Sequence, residues 1–345
     1  MSNDKPFRVA INGYGRIGQC VLRALYENGY RDHLQVVAIN ELSDIDTIAH
    51  LTRYDSTHGR FRGEVEASGD DLMVNGDRIR ILQHPDPAEL PWRLLDVDLV
   101  LECSGAYSDR QTAQKHIDAG ARRLLFSQPG DPDVDRTVVF GINESELVDS
   151  DRIVAAGSCT TNCLVPVIKV LDEAFGVEQG STTTIHAAMN DQPVIDAYHH
   201  QDLRRTRSAL HNIVPVETGL ARGIERLLPD MQGRFSSVAM RVPTLNVSAI
   251  DMVVNVREGT DVGAVNRVLK QAADGPLNGI LGYTDELLAS SDFNHDSHSG
   301  VVDGGQTRVT GGTMVKVLCW FDNEWGFANR MLDVSRCWLG EVTTG

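Results

Sequence analysis

Phe7–Ile11 is a short apolar run of strand type, and beyond it the apolar positions Ile17, Val21, Leu22 and Leu25 fall at helical spacing. Gly13, Gly15 and Gly18 stand where the strand gives way to the helix. A second strand is expected over Leu34–Ile39, ending in Asn40 and Glu41. Others are expected at Val97–Glu102, Arg123–Phe126, Thr137–Gly141 and Ile153–Ala155, with a helix at Asp109–Ala119 and a helix and loop at Leu51–Phe61. Strands that alternate with helices imply a parallel sheet covered on both faces.

Near residue 158 the texture changes. A helical stretch from about Cys159 to Phe175 is followed by longer strands at Ser181–His186, Phe235–Val242, Asn246–Arg257 and Thr313–Phe321, with one clear helix at Val262–Ala273. This half predicts an α+β arrangement with a mostly antiparallel sheet and helices on one side. Phe327, Met331, Val334 and Trp338 then recur on one helical face, so the chain closes with an amphipathic helix that docks back on the body. Two domains are expected, residues 1–158 completed by 324–345, and residues 159–323. A chain of 345 residues agrees with that division, because single cores stop growing below this size.

Composition narrows the partners. A net charge of -16 repels nucleic acid and anionic lipid, so a small ligand or a soluble protein is the expected partner, with no nucleic acid and no membrane. No stretch reaches the roughly 20 apolar residues of a membrane span, and the start MSNDKPFRVAINGYG lacks a basic and apolar leader, which predicts a cytoplasmic location. The six cysteines are too sparse for a disulfide framework and form no paired zinc knuckles. Reduced thiols are expected, and with them the option of a reactive one.

The sequence Gly13-Tyr-Gly15-Arg16-Ile17-Gly18, after a first strand and opening a helix, has the form of a dinucleotide phosphate turn. The first glycine permits the tight turn, the second admits the pyrophosphate to the backbone, and the third lets helix pack on strand. Glu41 closes the second strand, where a carboxylate accepts bonds from the adenine ribose hydroxyls and repels a 2′-phosphate. The expected cofactor is therefore NAD and not NADP.

Cys159 lies between the strand ending near Ala155 and a helix whose apolar face is Leu164, Val167, Ile168 and Leu171. A cysteine at a helix N-terminus has its thiolate favoured by the dipole and the exposed amides. Ser158 is available as N-cap, Cys163 reads as core, and Pro166 predicts a kink or irregular first turns. Taken alone, Cys159 reads first as a packed small residue, since free cysteines are commonly buried.

The motifs INGYGRIG, AINEL, SCTTNC, TTIHAAMNDQ, DLRRTR, RVPTLNVSAIDM and WFDNEWGFANRM, in this order over nearly the whole chain, resemble the glyceraldehyde-3-phosphate dehydrogenase superfamily. The resemblance implies a Rossmann doubly wound NAD domain followed by the α+β catalytic domain. It implies that Cys159 attacks an aldehyde of a sugar phosphate, that His186 accepts the proton, and that a thioester forms on Cys159. By the same matching Asn323 holds the nicotinamide amide, and Ser104, Gly105 and Ser127 line the cofactor cleft. Ser158, Thr160, Arg205, Thr218 and Arg241 become candidate substrate or anion contacts, and the assembly implied is a homotetramer.

Two positions depart from the phosphorylating members of the family. Met189 stands where they carry threonine three residues after the histidine, and Glu217 where they carry serine before the matching threonine. Met189 lacks a hydroxyl for phosphate. Like charges ~4 Å apart at an effective dielectric of about 20 repel by up to about 4 kcal/mol, so Glu217 opposes a second anion. Hydrolysis of the thioester by water is expected, which fits the erythrose-4-phosphate branch, whose product 4-phosphoerythronate leads toward pyridoxal phosphate in some bacteria. The alternatives are a phosphorylating glyceraldehyde-3-phosphate dehydrogenase and a non-catalytic NAD- or nucleic-acid-binding protein on the same scaffold. Arg204, Arg205 and Arg207 lack the interleaved aromatics of a nucleic-acid surface and read as an assembly loop. His199-His200 and His295 with His298 have metal-like spacing without a third ligand, so no metal is expected.

Overall fold

The computed structural model describes residues 5–199 and 202–340, so His200 and the expected domain ends at 1–4 and 341–345 lie outside the described residues. The chain divides into two compact units, one running up to Ser158 and resuming at Ala328, the other Cys159–Phe327.

In the first unit the elements are β1 (Phe7–Asn12), α1 (Arg16–Glu27), β2 (Leu34–Asn40), α2 (Ile45–Arg53), β3 (Tyr54–Asp55), β4 (Gly59–Arg60), β5 (Val65–Ser68), β6 (Asp71–Val74), β7 (Asp77–Leu82), β8 (Leu99–Glu102), α3 (Arg110–Asp118), β9 (Arg123–Phe126), β10 (Arg136–Thr137) and β11 (Ile153–Ala155). Among the described residues they build a nine-stranded sheet in the order β10-β11-β9-β8-β1-β2-β7-β6-β5. The run from β10 to β7 is parallel, while β5 and β6 add an antiparallel edge. At the middle of the parallel run β1 and β8 carry apolar stretches because both faces are covered, and Val9, Ala10, Ile11, Val100 and Leu101 are fully buried. Asp109 caps α3 by accepting from the Thr112 amide, as Asp44 caps α2 from Thr47. The expected strand at Thr137–Gly141 is only two residues long, and the β5–β7 hairpins had no clear signal in the sequence.

The second unit opens with α4 (Cys159–Phe175) and β12 (Val177–His186). It continues through β13 (Val214–Val216), α5 (Leu220–Leu227), β14 (Phe235–Arg241), β15 (Ser248–Val256), α6 (Val262–Asp274), β16 (Leu281–Thr284), β17 (Gly300–Asp303), β18 (Arg308–Thr310) and β19 (Met314–Phe321). Its sheet runs β13-β14-β12-β15-β19-β17-β16, with β18 on β19. The sheet is mostly antiparallel, as expected, but β12 pairs with β14 and β16 with β17 in parallel. α4 continues as helix through Pro166, where a kink or irregular first turns were expected. Its fully buried face includes Cys163, Leu164, Val167, Ile168 and Leu171.

Helix α7 (Trp325–Gly340) ends the described chain, with Phe327, Met331, Val334 and Trp338 all buried. Within the first unit Asp333 accepts from the Tyr30 hydroxyl at 2.9 Å and Arg123 donates to the Trp338 carbonyl, so this last helix is pinned by polar contacts as well as by its apolar face. No helix of the described residues is long and apolar enough to cross a membrane.

Candidate active site

Where β1 turns into α1, the three glycines have three different surroundings. A Cβ on Gly13 would collide with the Ser104 backbone, and Gly13 has φ +87°; one on Gly18 would collide with the Gly13 carbonyl. A Cβ on Gly15 would meet nothing within 4 Å. The outer two glycines are thus demanded by the protein itself, whereas the middle one keeps open the space a phosphate needs. No side chain caps the α1 N-terminus and no acid stands in its first turn, so its dipole faces that space uncompensated.

The turn borders a cavity of about 690 Å³ lined by Gly13, Gly15, Asn40, Glu41, Ser104 and Tyr107, among others. These residues gather at the carboxyl ends of neighbouring parallel strands, where ligands bind in such sheets. Glu41 takes the Tyr14 and Leu42 amides on its two oxygens, at 2.9 and 2.8 Å, which holds the carboxylate at the rim with further acceptor capacity. Gly105 follows Ser104 at φ +67°, and Ser127 ends β9 with its amide on the Glu102 carbonyl. Arg16 turns its guanidinium to Asp55 in a two-pronged pair at 2.5 and 3.2 Å, and Ile17 is partly exposed in the first turn of α1.

In the second unit Cys159 begins α4 and His186 ends β12. Their Sγ and Nε2 are 3.8 Å apart. The His186 Nδ1 lies 2.8 Å from the Ala187 carbonyl, which can only accept, so Nδ1 carries the proton and Nε2 presents its lone pair to the thiol. The edge of Phe321 packs against the imidazole, ring centroids 6.3 Å apart. Burial pushes the Cys159 thiol up to about 12, while the amides of Thr160 and Cys159 pull the other way. Burial also lowers His186, and the nearby Arg241 lowers it further. The sequence predicted a favoured thiolate from the helix end. The amide effect has that sign, and burial acts against it.

Asn323 is held from the same side. The Ala187 amide donates to Ser248 Oγ at 3.0 Å, so the Ser248 proton goes to Asn323 Oδ1 at 2.8 Å. That order fixes the Asn323 amide with its nitrogen left to donate. Ser248 carried no signal in the sequence as a site residue.

Arg241, paired with His186 in the β12–β14 register, is buried and grips Asp191 with both terminal nitrogens, at 2.6 and 3.0 Å. Arg205 reaches the same carboxylate at 3.0 Å. Asp191 therefore joins two of the expected anion contacts, and its carboxyl falls below the ordinary range because Arg241 and Arg205 outweigh its burial. Sequence reasoning did not find Asp191. Met189 Sδ lies 3.5 Å from Arg241 Nη2, in reach of the same guanidinium.

Thr218 stands apart from this cluster. Its Oγ1 accepts from the Leu220 amide at 3.2 Å, before α5, and Gly223 of α5 packs on Thr161 in the first turn of α4. Glu217 is exposed beside Thr218. Because Val214 is the residue opposite Arg241 and β13 runs antiparallel to β14, the chain leaves Arg241 before it reaches Glu217, by roughly 10 Å of strand. The repulsion expected from Glu217 thus attaches to an anion at Thr218 near the start of α4, and not to one at Arg241. Ser158 and Thr160 flank Cys159 and are both partly exposed.

Of the histidines with metal-like spacing, His295 and His298 lie among the described residues and have partners there. His298 Nδ1 pairs with Asp296 at 2.7 Å, and His295 stacks on Trp325 with ring centroids 3.6 Å apart.

The first unit thus carries a glycine turn with an open middle position, the form of a dinucleotide-binding turn, and the second a cysteine thiol facing an imidazole lone pair. Residues 7–110 match the family described as glyceraldehyde 3-phosphate dehydrogenase, NAD binding domain, and residues 158–323 match glyceraldehyde 3-phosphate dehydrogenase, C-terminal domain. The chain belongs to the glyceraldehyde 3-phosphate dehydrogenase family, and is an NAD-dependent oxidoreductase that acts on an aldehyde.

Proposed function

We propose that this enzyme oxidises D-erythrose 4-phosphate to 4-phospho-D-erythronate and releases its thioester to water. The observation that carries the reading is Met189 beside the Arg241 guanidinium, where phosphorylating relatives present a hydroxyl. Glu217 next to Thr218 adds a carboxylate where a second anion would otherwise find a neutral residue.

In this reading Cys159 is the nucleophile and His186 the base. His186 Nε2 takes the thiol proton as the Cys159 sulfur bonds to the aldehyde carbon. The Cys159 amide and the imidazolium stabilise the resulting oxyanion. NAD, when bound, accepts the hydride of that carbon. The imidazolium releases its proton to solvent, and the Cys159 thioester is then cleaved by water, which gives a proton to His186; that proton passes to the departing Cys159 sulfur as the acid leaves. Gly13, Gly15, Arg16, Ile17, Gly18, Glu41, Ser104, Gly105 and Ser127 form the cofactor wall, with Asn323 directing the nicotinamide amide through its free nitrogen. Ser158, Thr160, Arg205, Thr218 and Arg241 receive the substrate and its phosphate.

The exposed apolar side chains Val194, Ile195, Tyr198, Leu203, Leu210 and Ile213 support a homotetramer through this segment. The absence of disulfides among the described residues accords with a cytoplasmic setting.

The test compares kcat/KM for erythrose 4-phosphate and glyceraldehyde 3-phosphate, each with and without inorganic phosphate. Erythrose 4-phosphate turned over at full rate without phosphate or arsenate is the expected result. An absolute need for either anion would replace this reading with the phosphorylating one, which the intact Arg241, Arg205 and Thr218 would then serve.

A further inference from the structure

A row of polar residues crosses the carboxyl ends of three adjacent strands. Glu102 of β8, Asn12 of β1 and Asn40 of β2 are register partners, and all three are buried. Asn40 donates to Asn12 Oδ1 at 2.7 Å and Asn12 donates to Glu102 Oε2 at 2.6 Å. Asn12, Asn40, Ser104 and Tyr107 all line the dinucleotide cavity.

Glu102 is the hub of this row. Its other oxygen accepts the Ser104 amide at 2.8 Å and the Ser104 hydroxyl, and the Tyr107 hydroxyl reaches Oε2 at 2.5 Å. The turn from Cys103 to Tyr107 is therefore wrapped around one carboxylate. Four donors, and no acceptor, surround it.

Behind Tyr107 the arrangement is fixed by a residue outside the cavity. The Trp92 indole N–H can only donate, and it meets His116 Nδ1 at 2.9 Å. His116 Nδ1 must then be the bare nitrogen, so its proton is on Nε2 and points to the Tyr107 oxygen, 2.6 Å away. Tyr107 has its own proton left for one partner, Glu102. Trp92 and His116 are fully buried, and the indole and imidazole are stacked at 15°, so neither ring can turn to another partner. Every proton in the sequence Trp92, His116, Tyr107, Glu102 is thus assigned a direction, toward the wall of the cavity.

We propose that Tyr107, oriented by His116, is a positioning residue for the dinucleotide: it completes the shell of Glu102 and so holds Ser104 and Asn12 in place for binding. Burial pushes the Glu102 carboxyl up while the bonds from Ser104, Tyr107 and Asn12 pull it down, and loss of one of them loosens the turn that carries Ser104 and Gly105. A Cβ on Gly13 would strike the Ser104 backbone, so the phosphate turn and the Ser104 turn are also fitted to each other by contact.

The test measures NAD affinity of the full-length protein by direct titration, together with kcat and KM for the aldehyde at saturating NAD. Tyr107→Phe removes the hydroxyl from the cavity wall. His116→Phe removes both relay bonds without touching the cavity, and His116→Gln returns a donor for Tyr107. Tyr107→Phe is expected to raise the NAD Kd about tenfold, one charge-assisted bond's worth. His116→Phe should raise it several-fold and His116→Gln should recover most of that, with kcat at saturating NAD and aldehyde KM within twofold throughout. A Tyr107→Phe Kd within twofold of the parent would overturn the proposal, and so would a His116→Gln variant as weak as His116→Phe. Thermal destabilisation unaccompanied by a change in Kd would reduce the relay to a packing role.

Discussion

The molecule buries two histidines against strand ends and uses them in opposite ways. His116 has both ring nitrogens engaged by strong partners, Trp92 at 2.9 Å and Tyr107 at 2.6 Å, and is fully buried. His186 has one nitrogen engaged by the Ala187 carbonyl at 2.8 Å, while the other faces a thiol at 3.8 Å and keeps some access to solvent. Burial holds both below the ordinary imidazole range, His116 at about 4. What separates them is the unspent lone pair. A buried imidazole whose bonds are complete fixes geometry, and one that faces a weak, distant donor retains the capacity to take a proton.

The largest test of this contrast is removal of the chemical pair. Cys159→Ala should lower kcat by about 10⁴-fold or more, and His186→Asn by roughly 10²- to 10⁴-fold, measured as NADH formation. His116→Gln should leave kcat at saturating NAD nearly intact. Comparable losses in the two histidine variants would erase the distinction.

The second test uses pH. With burial holding the Cys159 thiol above its ordinary range, alkylation of Cys159 in the free protein should rise by about tenfold per pH unit from 7 to 9. A plateau across that range would mean that the thiolate already dominates. The acid limb of kcat/KM should have its midpoint below the ordinary imidazole value, since His186 must be neutral to act and its proton affinity is lowered.

A third, smaller effect appears in stability. Between the ordinary imidazole value of 6.5 and about 4, the unfolded chain binds a proton at His116 that the native state refuses, so stability falls as pH drops through this window. Chemical denaturation of His116→Gln across that range should show a slope flatter by about 1.4 kcal/mol per pH unit. An unchanged slope would mean that His116 takes up its proton in the folded state.

The smallest expected effect falls on cofactor choice. Glu41→Ala should raise the NADP/NAD ratio of kcat/KM roughly tenfold, by removing a carboxylate from the ribose rim. No change in the ratio would deprive Glu41 of its assigned role.

Much of the fold was legible because the signals are local. The strand, glycine turn and helix at 7–27 lie within one stretch of chain, as does the strand before Cys159 and the helix after it. Helix α5 escaped because it is short and has Gly223 inside it, a residue whose reason is the side chain of Thr161 in another helix. The β5 strand escaped because only Val65 of its four residues is buried, which leaves no alternation to read.

The candidate site was legible in its local residues and hidden in its long-range ones. Asp191 is 50 residues from the Arg241 it clamps, Ser248 is 75 from Asn323, and Trp92 is 24 from His116. Nothing in their own neighbourhoods marks them. The same limit bears on the Cys159 thiol, because the dipole of a helix end follows from local sequence while desolvation depends on everything packed around it.

The central claim, that Cys159 carries the acyl group while His186 serves as its base, is tested most directly by a single turnover. Enzyme in excess over aldehyde, with NAD and without phosphate, is quenched in acid at the time of maximal NADH and digested for mass analysis. The expected result is the acyl mass on the peptide containing Cys159, in proportion to NADH formed, and neither adduct nor NADH with Cys159→Ala. An adduct on another residue, or NADH formed at a comparable rate by Cys159→Ala, would contradict it.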